Sequence, residues 1–377
     1  MNFARIPGHQ ETIEKLIKSV KKNRVSHAQL FTGPEGCGSL AVALAFAQYI
    51  SCENRHEKDS CGTCKSCIKY EKMIHPDLHF VYPVIKKKGS SEEPTSDDYL
   101  PQWREFISNS PFRSINEWFE MIGSEESGQG MIYTAESSEI IRKLSLKPYE
   151  SDFKIMIIWL PERMNQTSAN KLLKLVEEPP EKTLFLMVSD EPDKIIPTIL
   201  SRCQLVKIPA FKNEEIKSYL RNTLGATEKE ADEIARLSQG NLLRAISIFE
   251  KDEATTQNLE NFRTLMRHAW KRDIAAMIEW ADRMASTGRE TQKNFLEYSL
   301  RLLRENLMLS LKQHQKELVF LSDEEADFSE KFHPFITTGN CNKLAEEFNK
   351  AALHIEANGY AKLVFLDLAL KVTKLIR

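Results

Sequence analysis

"KIMIIWLPERMNQTSANKLLKLVEEPPEKTLFLMVS", Lys154 to Ser189, decides the fold. It opens with the continuously apolar run Lys154–Leu160 and closes with a second, Thr183–Ser189. Uninterrupted apolar runs of this length are typical of parallel strands buried on both faces. Between them, Ala169, Leu172, Leu173 and Val176 recur at the spacing of one helical face. Strand, helix and strand in this order predict a βαβ unit and a parallel sheet. A third apolar run, "AQLFTG" from Ala28 to Gly33, predicts another strand of the same sheet.

Proline usage marks where this architecture ends. Fourteen of the fifteen prolines lie at or before Pro209, and the remaining one is Pro334. Proline is excluded from helix interiors, so the later half is expected to be continuous helices. Ile216, Tyr219, Leu220 and Leu224 share one face of "EIKSYLRNTL", and "NFLEYSLRLLRENLMLSL" keeps the same period. A chain of 377 residues is too long for one ordinary domain. The α/β part is therefore expected to give way to helical domains near Pro209. Between Lys86 and Gly130, polar runs flank an apolar middle holding Trp103, Phe106, Trp118 and Phe119, which predicts an inserted surface excursion, part flexible and part folded.

Composition narrows the function. With 41% hydrophobic and 28% charged residues the chain has a globular balance, and no apolar run reaches the ~18 residues that span a bilayer. No partnership with a membrane is expected. The start "MNFARIPGHQ" carries no apolar signal core, which makes the cytoplasm the expected compartment. A formal charge of −2 argues against strong DNA binding by this chain alone. The basic clusters Lys21-Lys22-Asn23-Arg24 and Lys86-Lys87-Lys88 read as solvated surface.

Cys52, Cys61, Cys64 and Cys67 fall within sixteen residues as C-x8-C-x2-C-x2-C. C-x2-C knuckles suit tetrahedral zinc–thiolate coordination, and disulfides are unusual in a cytosolic chain. Each knuckle brings two sulfurs to one side of a tight turn, Gly62 eases that bend, and four thiolates saturate the ion, so a structural Zn2+ is expected. Cys37, Cys203 and Cys341 are isolated and read as small apolar side chains.

The stretch "LFTGPEGCGSLAVAL", Leu30–Leu44, starts as a phosphate-binding loop. Gly33, Gly36 and Gly38 remain, yet Ser39 stands where the lysine belongs and Leu40 where the magnesium-binding hydroxyl belongs. After "KIMII", Trp159 and Leu160 occupy the place of an acidic pair, and Glu162 is out of register behind Pro161. Neither ATP binding in cis nor intrinsic catalysis is expected. His27 and His75 lack triad partners.

In order and spacing, "SHAQLFTGPEGCGSLAVALAFAQYISC", the four-cysteine module, "HPDLHFV", "SANKLLKLVEEPP" and "IIPTILSRCQLV" resemble the clamp-loader branch of the AAA+ family over about residues 1–250. The resemblance implies an α/β RecA-like AAA+ domain with an embedded four-cysteine zinc module, followed by an all-α lid domain and an all-α collar domain. The implied boundaries are 1–208 (zinc module about 50–70, insertion about 86–130), 209–252 and 253–377. It further implies a component of a DNA polymerase holoenzyme that helps load a sliding clamp on primer-template DNA. The implied partners are gamma/tau-like ATPase subunits and a delta-like subunit, with clamp and DNA engaged through the complex.

Arg202 matches the family arginine that reaches the ATP of an adjacent subunit; the alternative is a pairing with a local carboxylate. Arg244 resembles a second sensor arginine, with packing the alternative role. Glu177 and Glu178, at a helix end, imply structure or interface. The rival functions are an active ATPase subunit with a non-standard nucleotide site and a zinc-dependent DNA-binding adaptor.

Overall fold

The computed structural model describes residues 1–86, 92–123, 130–250, 253–311 and 319–376. The chain forms two compact units, Met1–Ala235 with Gln239–Ala245, and Arg236–Ser238 with Ile246–Arg377. Among the described residues, no helix is long and apolar enough to cross a membrane.

The first unit is built on five strands: β1 (Ala28–Thr32), β2 (Leu78–Val81), β3 (Lys154–Trp159), β4 (Thr183–Ser189) and β5 (Gln204–Lys207). Their order is β2-β3-β4-β1-β5, and every neighbouring pair is parallel. Every residue of β3 and β4 is buried, as their uninterrupted apolar runs require. The helix Gln166–Glu177 joins them. Asn165 caps it by accepting the Ser168 amide at 2.8 Å, Ala169, Leu172 and Val176 are buried, and Pro179-Pro180 follows its end. Leu173 is half-buried at the rim of the same cluster. β5 lies at the sheet edge with three of its four residues exposed, so it carries no apolar run to announce it.

The described part of the Lys86–Gly130 insertion is core rather than surface. Trp103 stacks on Tyr82 with ring centroids 4.0 Å apart, and Trp118 meets both rings edge-on. The Trp118 indole N–H donates to the Pro83 carbonyl at 2.8 Å. Trp103, Phe106 and Trp118 are buried against Phe80, Tyr82 and Trp159 at the ends of β2 and β3, and Phe119 is buried beside Gly130 and under the Arg163 guanidinium. The helices Leu100–Asn109 and Ile115–Met121 carry them, the second opened by a Ser114–Glu117 capping box. Residues 87–91 and 124–129 of the insertion's polar runs lie outside the described residues, and Lys87 and Lys88 of the basic cluster with them.

The second unit is helical, with long members at Glu253–Lys271, Ile274–Ser286, Arg289–Ser310, Cys341–Glu356 and Ala361–Leu375. Phe262, Trp280, Phe295, Phe348 and Phe365 make its centre. Pro334 sits in the short turn His333–Phe335, between helices rather than within one. Inside the unit, Arg301 pairs with the buried Glu325, which also accepts the Tyr298 hydroxyl at 2.8 Å.

Candidate functional site

Β1 delivers the chain at its carboxyl end into the loop Gly33–Gly38, and the helix Ser39–Ser51 leaves from it. All thirteen residues of that helix are buried, so the loop is anchored on both sides. Gly36 and Gly38 adopt φ of 73° and 79°, a region costly for any residue with a Cβ. A Cβ on Gly36 would overlap the Asn241 side-chain oxygen, and one on Gly33 the Ile208 carbonyl.

Ser39 is buried, its hydroxyl 2.9 Å from the Cys37 sulfur, and Leu40 is buried beside it. His9 hydrogen-bonds the Cys37 carbonyl through Nε2 at 2.7 Å, and burial lowers its pKa. The Leu242 amide donates to the Gly36 carbonyl at 3.1 Å, which sets the start of the helix Leu242–Glu250 on the loop. Arg244 lies in the first turn of that helix, its amide capped by Asn241 at 2.9 Å. The space left above the loop is a cavity of about 40 Å³ bounded by Gly36–Leu40, Phe112, Trp159, Asp190 and Leu243. Such a volume admits a few waters at most, since one occupies ~10–15 Å³ on this measure. Pockets for nucleotide-sized ligands run to ~300–1,000 Å³.

Trp159 and Leu160 are buried at the end of β3, as the sequence places them. Leu160 has φ 56°, and the turn it makes carries Glu162 toward β4. There Glu162 Oε1 accepts the amides of Asp190 and Glu191 at 3.1 and 3.3 Å. Burial raises the Glu162 pKa. Asp190 keeps an exposed edge, yet burial first and then Glu162, Glu35 and Glu191 push it up to about 7. Sequence reading missed Asp190. It follows the apolar run of β4, but only the pairing of β4 with β1 puts it next to the loop.

Arg202 lies between the short helix Pro197–Leu200 and β5. Its guanidinium pairs with Glu177 at 2.6 Å and donates to the Thr198 carbonyl at 2.9 Å. A local carboxylate partner is thus present. Gln204 of β5 is level with Gln29 of β1, so Arg202 sits at the amino ends of the strands and the loop Gly33–Gly38 at their carboxyl ends. At ~3.3 Å per residue that register separates them by roughly 20 Å, beyond the reach of one side chain. Glu177 and Glu178 are exposed at the helix end.

The sulfurs of Cys52, Cys61, Cys64 and Cys67 lie within 4.8 Å of one another. Tetrahedral zinc with Zn–S bonds of ~2.3 Å separates its sulfurs by ~3.8 Å. The Cys52–Cys61 and Cys61–Cys67 separations are 3.6 and 3.9 Å, so the cluster fits that ion. Backbone amides of Cys61, Cys64 and Cys67 donate to the sulfurs of Cys52, Cys61 and Cys64 at 3.3–3.4 Å, which favours thiolate. Gly62, at φ 74°, makes the bend inside the Cys61–Cys64 knuckle. Elsewhere His27 bonds the Val176 carbonyl, and His75 accepts the Asp77 amide.

The chain is 27% identical to DNA polymerase III subunit delta′ of Bacillus subtilis over 248 residues, 65% of this chain and 60% of that protein. It is 25% identical to DNA polymerase III subunit tau/gamma of Haemophilus influenzae over 267 residues, 68% of this chain and 32% of that protein. The matched span thus covers less than two thirds of either relative. Among solved structures, a DNA polymerase III gamma subunit-related protein from Thermotoga maritima aligns over 97% of this chain and all of that one, with a TM-score of 0.47 and 15% identity. The family model described as DNA polymerase III, delta subunit, matches residues 8–212. That match spans more than half of the chain, and the protein belongs to the DNA polymerase III delta subunit family.

Proposed function

We propose that this chain is a delta-prime-like, non-hydrolysing subunit of a DNA polymerase III clamp loader. It helps place a sliding clamp on primer-template DNA, and it lends Arg202 to the ATP site of an adjacent gamma/tau-like subunit. A delta-like subunit completes the partner set. The proposed layout is a RecA-like AAA+ domain at 1–208, a helical lid at 209–252 and a helical collar at 253–377. A structural zinc ion is proposed on Cys52, Cys61, Cys64 and Cys67.

One observation carries this reading. Arg202 stands at the opposite end of the sheet from the loop Gly33–Gly38, out of reach of anything that loop could hold, which supports a role toward another molecule's phosphate once the guanidinium leaves Glu177. A fixed guanidinium supplied from outside a pocket stabilises the charge that builds during phosphoryl transfer. The loop itself, with Ser39 buried against Cys37 and about 40 Å³ above it, supports a chain without a nucleotide of its own.

The test is reconstitution with the ATPase subunits, wild type against Arg202→Ala, with ATP titrated onto the isolated chain in parallel. Expected are a defined complex, turnover that depends on Arg202, and no saturable binding to the isolated chain. A second reading, an active gamma/tau-like ATPase with a non-standard site, is favoured by the convergence of Glu162 and Asp190 beside the loop. Micromolar ATP binding that needs magnesium would decide for it.

A further inference from the structure

The insertion reaches the phosphate loop through one residue. Phe112 is 7% exposed, and the position of a Cβ on Gly38 lies 2.9 Å from Phe112 Cε1 and 3.1 Å from Phe211 Cζ. Two rings therefore close on the first turn of the helix Ser39–Ser51, where the loop ends. Phe112 meets Phe211 edge-on at 6.4 Å and Tyr219 edge-on at 5.7 Å. Phe211 in turn lies 4.4 Å from the His9 ring at a tilt of 34°, and His9 holds the Cys37 carbonyl. His9, Phe211, Phe112 and Tyr219 thus form a continuous run from the N-terminal segment, across the loop, to the helix Asn213–Leu224.

The backbone at Phe112 is itself pinned. Its amide donates to the Ser110 hydroxyl at 3.1 Å, and the Arg113 guanidinium lies over the buried Phe106 ring at 5.6 Å. Pro111 and Phe112 form the partition between two spaces. On one side is the 40 Å³ recess above the loop; on the other is a cleft of about 520 Å³ walled by Arg5, Glu71, Asn109, Tyr219 and Asn222.

We propose that Phe112 is a built-in wedge: it fills the mouth of the phosphate loop and ties that loop to the helix Asn213–Leu224, holding both in one arrangement without a bound ligand. Rings pack as rigid bodies with two rotatable bonds, so this link costs little side-chain entropy and transmits position directly. The proposal goes beyond the trans role of Arg202 and does not need it.

The experiment is hydrogen exchange on the full chain, wild type against Phe112→Ala. The wedge predicts that peptides covering 33–40 and 213–224 exchange together, about tenfold faster in the variant, while those covering β3 and β4 keep wild-type rates. Faster exchange confined to the insertion, with the loop unchanged, would overturn it. Tyr219→Ala approaches from the other side and keeps the test decisive if Phe112→Ala does not fold. It should loosen the 33–40 peptides, and wild-type rates there would equally refute the wedge. Either failure leaves the ATP-turnover test of Arg202 standing.

Discussion

Arg202 and Glu177 form an ion pair at 2.6 Å, with the side chains 39% and 38% exposed. A pair so open to water contributes ~0–1 kcal/mol. Arg202→Ala should therefore leave thermal unfolding of the isolated chain within about 1 kcal/mol of wild type. In the reconstituted assembly the same change should slow turnover at the adjoining ATP site by ~10³-fold or more, the usual weight of such an arginine. Melting curves and DNA-stimulated ATPase assays on one preparation check both halves. Unaltered turnover would remove the trans role.

The four-cysteine cluster should retain about one zinc ion per chain, read by elemental analysis after exhaustive dialysis. Cys64 both contributes a sulfur and caps the helix Lys65–Glu71. Cys64→Ser should lose the metal and lower Tm, and a strong chelator should reproduce the drop in the wild type. Equal Tm with and without chelator would mean that the cluster holds no structural ion.

Asp190 makes stability fall as pH rises. Its folded pKa, about 7, is above the ~3.9 of an unfolded aspartate, so between those values the folded state holds the extra proton. The penalty is absent below pH ~4, grows through the interval and is complete above ~7. Because Asp190 has an exposed edge, solvent screening reduces the effect to about 1 kcal/mol. Denaturant titrations at pH 5 and pH 8 should show Asp190→Asn gaining more on wild type at the higher pH. A constant difference between the two pH values would contradict the assignment.

Trp103 tests whether the insertion is part of the core. It is fully buried and touches Phe80, Tyr82, Phe106, Trp118 and Trp159. Trp103→Ala should cost ~3–5 kcal/mol, the range for emptying a large aromatic site. Chemical denaturation measures it; a loss below ~1 kcal/mol would return the segment to the surface.

The strands at Ala28–Thr32, Lys154–Trp159 and Thr183–Ser189 and the helices after Pro209 were legible because their signal is local. An apolar run, a 3.6-residue period or an absence of proline is written in consecutive residues. So was the cysteine module, since two C-x2-C knuckles constrain their own geometry. The loop Gly33–Gly38 was legible for the same reason, since its glycines follow an apolar run and precede a helical one.

Other features depended on which segments meet. The polar flanks of the insertion hid an aromatic core, because the partners of Trp103 and Trp118 are Tyr82 and Trp159, distant in sequence. β5, short and exposed, lacked a local pattern. Asp190 became part of the site only through the pairing of β4 with β1, and Glu177 became the partner of Arg202 only where two helix ends converge. Phe112 closed the loop only because the chain turns back on itself. Sequence by itself determined the elements and the chemistry each residue can offer, since backbone preference and side-chain functional groups are properties of short stretches. Tertiary structure alone decided which groups come within a few ångströms of each other, because strand order and packing join residues that chain distance keeps apart.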